Sequence, residues 1–437
     1  MITGMFPTSI GAHNHRSQQT VLKASGNSAY YPDHPVLRKH WAEYLNTWAR
    51  MDLEVGRILK NLEEAGVARN TIVFFWTDHG LTHIRAKQFL YDEGIRIPLM
   101  VRFGNRRRAG TVCDDLLLQI DVAATSLALA GIDVPGSMQG QDFFAADYVP
   151  RKRIYAARDR CDETVDTIRC VRSKRFKYIR NFLSFMPHTQ PNESKDHQPT
   201  LIAAKALYDE GKLNEAQNTA FAPTRAPEEL YDLQSDPFET INLADDPRYA
   251  DELKTLQRAL YEQMVDSGDL GLVPEPILEE MGREHGNKAF VLQSTDNSQL
   301  VRRLIELMGA GQTCDRARLL AGLQSASAAE RYWAATWLGL CGGTDAVGLL
   351  EEKLEDEEPA VRIAAALAMH RLGTTDGPTH VLIEATRDYN PLVGLYALRA
   401  LEIAGVDDVS VRRTFAAARN HPYEFARRIA NRVLQEP

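Results

Sequence analysis

Residues 71–89 read TIVFFWTDHGLTHIRAKQF, and the first six decide how the rest is read. TIVFFW is apolar on both faces and rich in β-formers. A central strand of a parallel sheet, covered by helices on both sides, has that pattern. Asp78 and His79 follow at once. In open α/β sheets, ligands gather at the carboxyl ends of the strands. Asp78 offers a hard carboxylate oxygen to a divalent cation. His79 offers a ring nitrogen, which Ca²⁺ or Mg²⁺ does not normally prefer. Gly80 lets the backbone turn sharply or approach a ligand closely. Lys87 can place an ammonium on a phosphate or sulfate oxygen. A strand-ending turn with solvated Asp and Lys stands beside the metal reading. A zinc pair of His79 and His83 lacks the Glu that H-E-x-x-H requires.

Upstream, Trp41, Leu45, Trp48, Val55, Leu59 and Leu62 recur at helical spacing and predict one long helix over 36–65, stopped by Gly66. Downstream, IRIPLMVRF at 95–103 is a second strand, and Asp121 can cap the helix VAATSLALAGI. Helix, strand, strand, helix suggests an α/β sheet. From 150 to 185 the pattern is strand-like, in RIYAARDR and TIRCVRSKRFKYIRNF. The stretch 186–225 is polar, with one helical piece near 200–220. EELYDLQSDPFETINLADDP returns to a strand and turns, and a helix follows through about 266. The Pro- and Gly-bearing segment 268–290 reads as a connector.

After about residue 300 the character changes. Thr336, Leu367, Leu398 and Ile429 lie 31 residues apart each time, and Ala335, Ala366 and Ala397 keep the same step. An Ala-rich helix pair at a fixed period is a helical solenoid, here with a short HEAT-like repeat. A non-repetitive helical bundle is the alternative.

Composition bounds the rest. The chain has 437 residues, long enough for two or three domains, and a net charge of -8. That charge argues against a broad electrostatic grip on nucleic acid. No stretch of eighteen apolar residues suggests a membrane span. The N-terminus has no basic n-region or apolar h-region, so no signal peptide is expected. Five Cys occur without a Cys-x-x-Cys; Cys161 and Cys170 either pair or simply fill strand positions. The cluster NRRRAG at 105–110 faces an acidic glycan or is a solvated loop.

NTIVFFWTDHG followed by AKQFLYDEGIRIPLMVRF resembles the C-terminal half of the type I sulfatase core, in the alkaline-phosphatase-like superfamily. DVAATSLALAGIDVP, ELYDLQSDPFETINLA and ITGMFPTSIGAHNHR are similar to further family segments, in family order. The resemblance spans most of residues 1–265. It implies an α/β sulfatase-like core, incomplete at its N-terminal side, followed by an all-α HEAT-like helical solenoid. The implied domains are 1–295, with a C-terminal subdomain at about 150–266, and 300–437. By resemblance, Asp78 and His79 match ligands of a bound Ca²⁺, with Asn at the second position in many relatives. Lys87 matches the Lys that contacts sulfate. His13 and His15 lie in a segment that lines the site in relatives.

The family chemistry implies a Cys or Ser in C/S-x-P-S-R, oxidised to formylglycine, that attacks sulfur. No such motif occurs in this sequence. Met1 stands where it should just have ended, and a deletion is suspected near residues 17–30. The paired Asp ligands of the family's first strand and its G-K-W-H stretch are also absent. The resemblance therefore implies a sulfuric ester hydrolase by family, acting on sulfated small molecules or glycans. The nucleophile is missing, Ca²⁺ binding is expected to be weak or absent, and little or no activity is expected. Two alternatives stay open: a phosphate or phosphonate ester hydrolase of the same superfamily, and a non-catalytic scaffold that binds proteins through the repeats. Relatives are commonly periplasmic or secreted; the location of this chain stays undecided.

Overall fold

A computed structural model describes residues 30–82, 84–294 and 296–434. They fall into two compact units, one over residues 30–158 and 168–257, the other over 159–167 and 258–434.

The first unit opens with α1, Pro35–Glu64. Pro35 stands at its first turn, where a missing N–H costs nothing, and the His34 ring accepts from the Val36 N–H. The apolar stripe read from the sequence is there, yet Leu37 is the one buried residue of this helix. Then come β1 (Val73–Trp76), α2 (Asp92–Ile95), β2 (Leu99–Arg102) and α3 (Ile120–Leu129).

The expectation of a central parallel strand is corrected. β1 pairs with β2 alone among the described residues, and the pairing is antiparallel, with Val73 opposite Arg102 and Trp76 opposite Leu99. Trp76 and Met100 keep 41% and 38% of their surface exposed. An unbroken apolar run signals burial on both faces only when other strands and helices flank it. The run itself does not carry those neighbours. Met51, Val55 and Leu59 of α1 line an open groove of about 200 Å³ with Val73, Phe75 and Met100 of the ribbon.

Asp121 is not the cap of α3. It sits in the first turn, fully buried, accepting from the N–H groups of Leu118 and Gln141 and holding Arg151 by two bonds of 2.7 and 2.8 Å. A carboxylate so placed joins three segments of chain rather than ending one helix.

The second sheet is antiparallel in the order β3 (Ile154–Arg158), β4 (Ile168–Arg172), β5 (Phe176–Asn181), β6 (Glu228–Asp232). Between β5 and β6 lie α4 (Glu193–Asp196), α5 (Pro199–Asp209) and α6 (Glu215–Asn218), and α7 (Ala250–Asp266) follows. β4 to β6 are nearly all buried, polar residues included. Their charges pair inside the unit, as buried charges must.

In the second unit, residues 268–290 are not a connector. They hold a 3₁₀ turn at Leu270–Leu272, α8 (Glu275–Glu284) and the start of α9 (Lys288–Leu292). Pro274 and Pro276, prolines of the segment read as a connector, stand at the N-terminus of α8, where proline is tolerated. The remaining helices are α10 (Asn297–Gln312), α11 (Arg316–Leu323), α12 (Ala328–Cys341), α13 (Val347–Glu352), α14 (Pro359–Arg371), α15 (Asp376–Ala385), α16 (Pro391–Ala404), α17 (Val409–Ala418) and α18 (Glu424–Leu434).

The 31-residue step is a packing register. Ala335, Ala366 and Ala397, on α12, α14 and α16, have no exposed surface, and Leu398 and Ile429 are equally buried. Small residues let the helices approach: a Cβ on Gly339 would lie 2.5 Å from the Ala368 Cα. Pro359 and Pro391 begin their helices, capped by the side chains of Glu358 and Asn390. Arg331 grips Asp356 by two bonds of 2.8 Å, both side chains more than nine-tenths buried. Cys314 and Cys341 form a disulfide, a pairing that the sequence did not suggest, while Cys113, Cys161 and Cys170 form none.

Candidate functional site

Asp78 and His79 leave the end of β1 as the sequence suggested, in the turn two residues past Trp76. The Asp78 side chain is 84% exposed. Its Oδ1 accepts from the His79 N–H at 3.0 Å, and its Oδ2 lies 3.6 Å from His79 Nε2. His79 Nδ1 is 2.7 Å from the Gly80 carbonyl, which can only accept, so that nitrogen donates. Among the described residues, no group of three His, Cys, Asp or Glu side chains forms a metal cluster. Ca²⁺ takes six to eight oxygens. One exposed carboxylate beside an imidazole does not fit that ion. His83, His13 and His15 lie outside the described residues.

The loop after this turn is fastened at both ends by backbone. Gly80 N–H donates to the Gly94 carbonyl at 2.9 Å and Leu81 N–H to Glu93 at 3.2 Å. The approach requires glycine twice: a Cβ on Gly80 would lie 1.8 Å from the Glu93 oxygen, and one on Gly94 would lie 2.2 Å from the Ala86 oxygen. Inside this closure, Lys87 N–H donates to Leu81 at 2.8 Å, and Gln88 takes a φ of 77°, an unusual backbone for a residue with a side chain. Lys87 is exposed, and among the described residues its ammonium makes no ion pair.

A buried charge network holds the loop to the second sheet. Lys177, the second residue of β5 and fully buried, lies 2.6 Å from Asp92 and 2.8 Å from Glu239, and donates to the Leu90 carbonyl at 3.1 Å. Arg172 of β4 adds two bonds of 2.9 Å to Asp92. Burial opposes ionisation of Asp92, but Lys177 and Arg172 outweigh it and hold its carboxyl well below the usual range. Arg85 stacks 3.6 Å from the Tyr91 ring centroid and donates to the Glu239 carbonyl at 2.5 Å.

Next to this lies a polar pocket of side chains around His188. Tyr91, Tyr231 and Asn181 all donate to Glu229, and His188 Nε2 lies 3.4 Å from the Tyr91 hydroxyl. Burial, and then the guanidiniums of Arg225, Arg85 and Arg158, push the His188 pKa well down, so the ring is neutral. None of these partners was singled out in the sequence. One signal was available: a Lys inside the strand FKYIRN must be paired if the strand is buried.

The sulfatase family profile matches residues 8–132, and the profile described as N-sulphoglucosamine sulphohydrolase, C-terminal, matches 78–220. HEAT repeats match 317–402. Residues 8–220 are thus similar to sulfatases, and residues 317–402 to HEAT repeats.

Among particular relatives, the chain is 38% identical over 248 residues to an ulvan-active sulfatase of Formosa agariphila, covering 56% of this chain and 41% of that one. It is 28% identical to the human N-sulphoglucosamine sulphohydrolase, covering 57% and 53%. The chain thus spans about half the length of these curated relatives. A solved 2-O GAG sulfatase aligns at 22% identity with a TM-score of 0.39, over 57% of this chain and 47% of that one.

Proposed function

We propose that the first unit binds sulfate esters of acidic glycans through the Lys87 loop, and that the residues of this chain do not by themselves carry out the hydrolysis. Relatives named for ulvan and for N-sulphoglucosamine support the substrate class. One observation carries the reading of the site: an exposed ammonium stands on a loop locked by Gly80, Gly94 and the Asp92–Lys177 pair. A loop fixed in advance loses little freedom when an oxyanion arrives, so the charge-assisted bond is kept as affinity. The absence of C/S-x-P-S-R supports the second half, because the covalent step needs that nucleophile.

The test measures binding and turnover on sulfate and phosphate monoesters of one alcohol. Lys87→Gln is expected to weaken sulfate ester binding about tenfold, the loss of one charge-assisted hydrogen bond. Sulfate release is expected to match that of an Asp78→Ala control. Release well above that control overturns the non-hydrolytic reading. Binding indifferent to Lys87 overturns the site, and tighter binding of the phosphate ester transfers it to the phosphate class.

A further inference from the structure

A second basic feature of the first unit lies at the far end of the ribbon. β2 ends at Arg102, and NRRRAG, residues 105–110, follows it. β2 runs antiparallel to β1, with Arg102 opposite Val73. The loop therefore leaves the end of the ribbon opposite to the Asp78–His79 turn, roughly 10 Å along the strands. Arg102 is paired with Glu63 at 3.3 Å. Arg106, Arg107 and Arg108 are exposed, and among the described residues their guanidiniums form no ion pair and donate no hydrogen bond.

The loop has a defined shape. The Phe103 carbonyl accepts from the Arg106 N–H at 3.0 Å, Asn105 Oδ1 from the Arg107 N–H at 3.1 Å, and the Arg108 carbonyl from the Thr111 hydroxyl at 2.8 Å. Arg106 and Arg108 take φ of 57° and 58°, a backbone that costs any residue with a Cβ more than glycine. Aromatic rings place two of the cations. Arg107 Cζ lies 4.1 Å from the Phe103 ring centroid and Arg108 Cζ 5.0 Å from that of Phe144, and these two rings meet at 5.1 Å. A cation over a ring face spends no N–H on it, so the donor forks stay open to a ligand. Three like charges on neighbouring residues repel one another, and an anion laid across them offsets that cost.

We propose that Arg106, Arg107 and Arg108 form a second contact for a sulfated polysaccharide, taking sulfate groups further along the polymer than the one that meets Lys87. This rests on the reading of the first unit as a binder of sulfated glycans. The separation along the ribbon makes it a contact for a polymer: one sugar does not reach from the Asp78–His79 turn to the arginine loop, whereas a chain of sugars does. Each guanidinium can take two oxygens of a sulfate, and engaging several sulfates of one chain at once multiplies the affinity.

The experiment uses the full chain and four probes: N-sulphoglucosamine, heparin, hyaluronan of matched length, which carries carboxylates without sulfate, and a single-stranded RNA. Dissociation constants are measured by titration calorimetry for the parent, for Lys87→Gln, and for Arg106→Gln, Arg107→Gln and Arg108→Gln combined. The parent is expected to bind heparin about tenfold or more tighter than each of the other three probes. The combined variant is expected to lose that preference and to keep the parent's affinity for N-sulphoglucosamine. The proposal is overturned if the combined variant binds heparin as the parent does, or weakens the monosaccharide by the same factor, as a disturbed fold would. It is also overturned if the parent binds hyaluronan or RNA as tightly as heparin, which would mark a patch for any polyanion. If Lys87→Gln leaves N-sulphoglucosamine binding unchanged while heparin still depends on the arginines, the Lys87 reading fails by itself. If the parent binds neither heparin nor the monosaccharide at millimolar concentration, both fail.

Discussion

The ammonium of Lys177 lies 2.6 Å from Asp92 Oδ1, with no surface of the lysine exposed to water. The pair joins the strand β5 to the short helix α2, directly behind the loop that carries Lys87. Removing Lys177 leaves Asp92 to Arg172 alone and Glu239 buried without its lysine. Lys177→Met is expected to cost about 3–5 kcal/mol in the first unit. Urea unfolding followed by a probe within residues 30–257 checks this; a loss below about 1 kcal/mol would show that water reaches the pair.

Gly80→Ala tests the closure of the loop. A Cβ there meets a backbone oxygen at 1.8 Å, and backbone cannot swing aside as a side chain can. Overpacking of this kind costs about 1–3 kcal/mol or more. Trypsin cleavage after Arg85 and Lys87 is expected to quicken severalfold, while cleavage in the second unit stays at the parent rate. Unchanged cleavage at both sites counts against a locked loop.

The pKa of His188 is pushed down in the folded chain, chiefly by burial and then by Arg225, Arg85 and Arg158. The unfolded chain therefore binds the proton first as pH falls. The stability linked to this ring is complete above about 6.5 and is lost as pH drops through that value toward the depressed folded one. The slope is at most about 1.4 kcal/mol per pH unit. Glu229 and the Tyr91 hydroxyl also face the ring, so the comparison is between parent and His188→Asn. Stability from pH 7 to 5 is expected to fall more steeply in the parent; identical slopes would mean that His188 takes up its proton alike in the folded and unfolded chain.

The cysteines separate by environment. Burial pushes the Cys170 thiol up to about 11, and the side chain is 1% exposed. Cys113 is exposed. Maleimide at pH 8 is expected to label Cys113 first and Cys170 only after denaturation. Cys314 and Cys341 close a loop with a sequence separation of 27, and reducing that bond is expected to cost about 3–4 kcal/mol in the second unit. Rapid labelling of Cys341 without a reductant would contradict the pairing.

The helices were legible because their signals are local and periodic. The stripe from Trp41 to Leu62 marked α1, and the 31-residue step marked α12, α14, α16 and α18. Strand positions were legible too, since VFFW and LMVR announce themselves by composition. Strand partnership was not. Whether VFFW is central or lies in a two-stranded ribbon depends on which segments sit beside it, and those lie elsewhere in the chain. Pro274 and Pro276 misled for a similar reason: the same residue breaks a helix in its interior and begins one at its first turn.

At the site, the sequence alone determined the Asp78–His79 turn after an apolar strand, the glycine that bends it and the lysine beyond. Each of these is a consequence of neighbouring residues. Only the tertiary structure decided that Asp78 stays largely in solvent and that Gly94 closes on Gly80. It alone brought Lys177 to the loop from β5 and Lys195 from α4, the latter 108 positions past Lys87. Contacts over such separations form because folding buries charge, and a buried charge must find its partner wherever in the chain that partner lies. A local pattern can fix what a segment is; only the closed fold fixes what it meets.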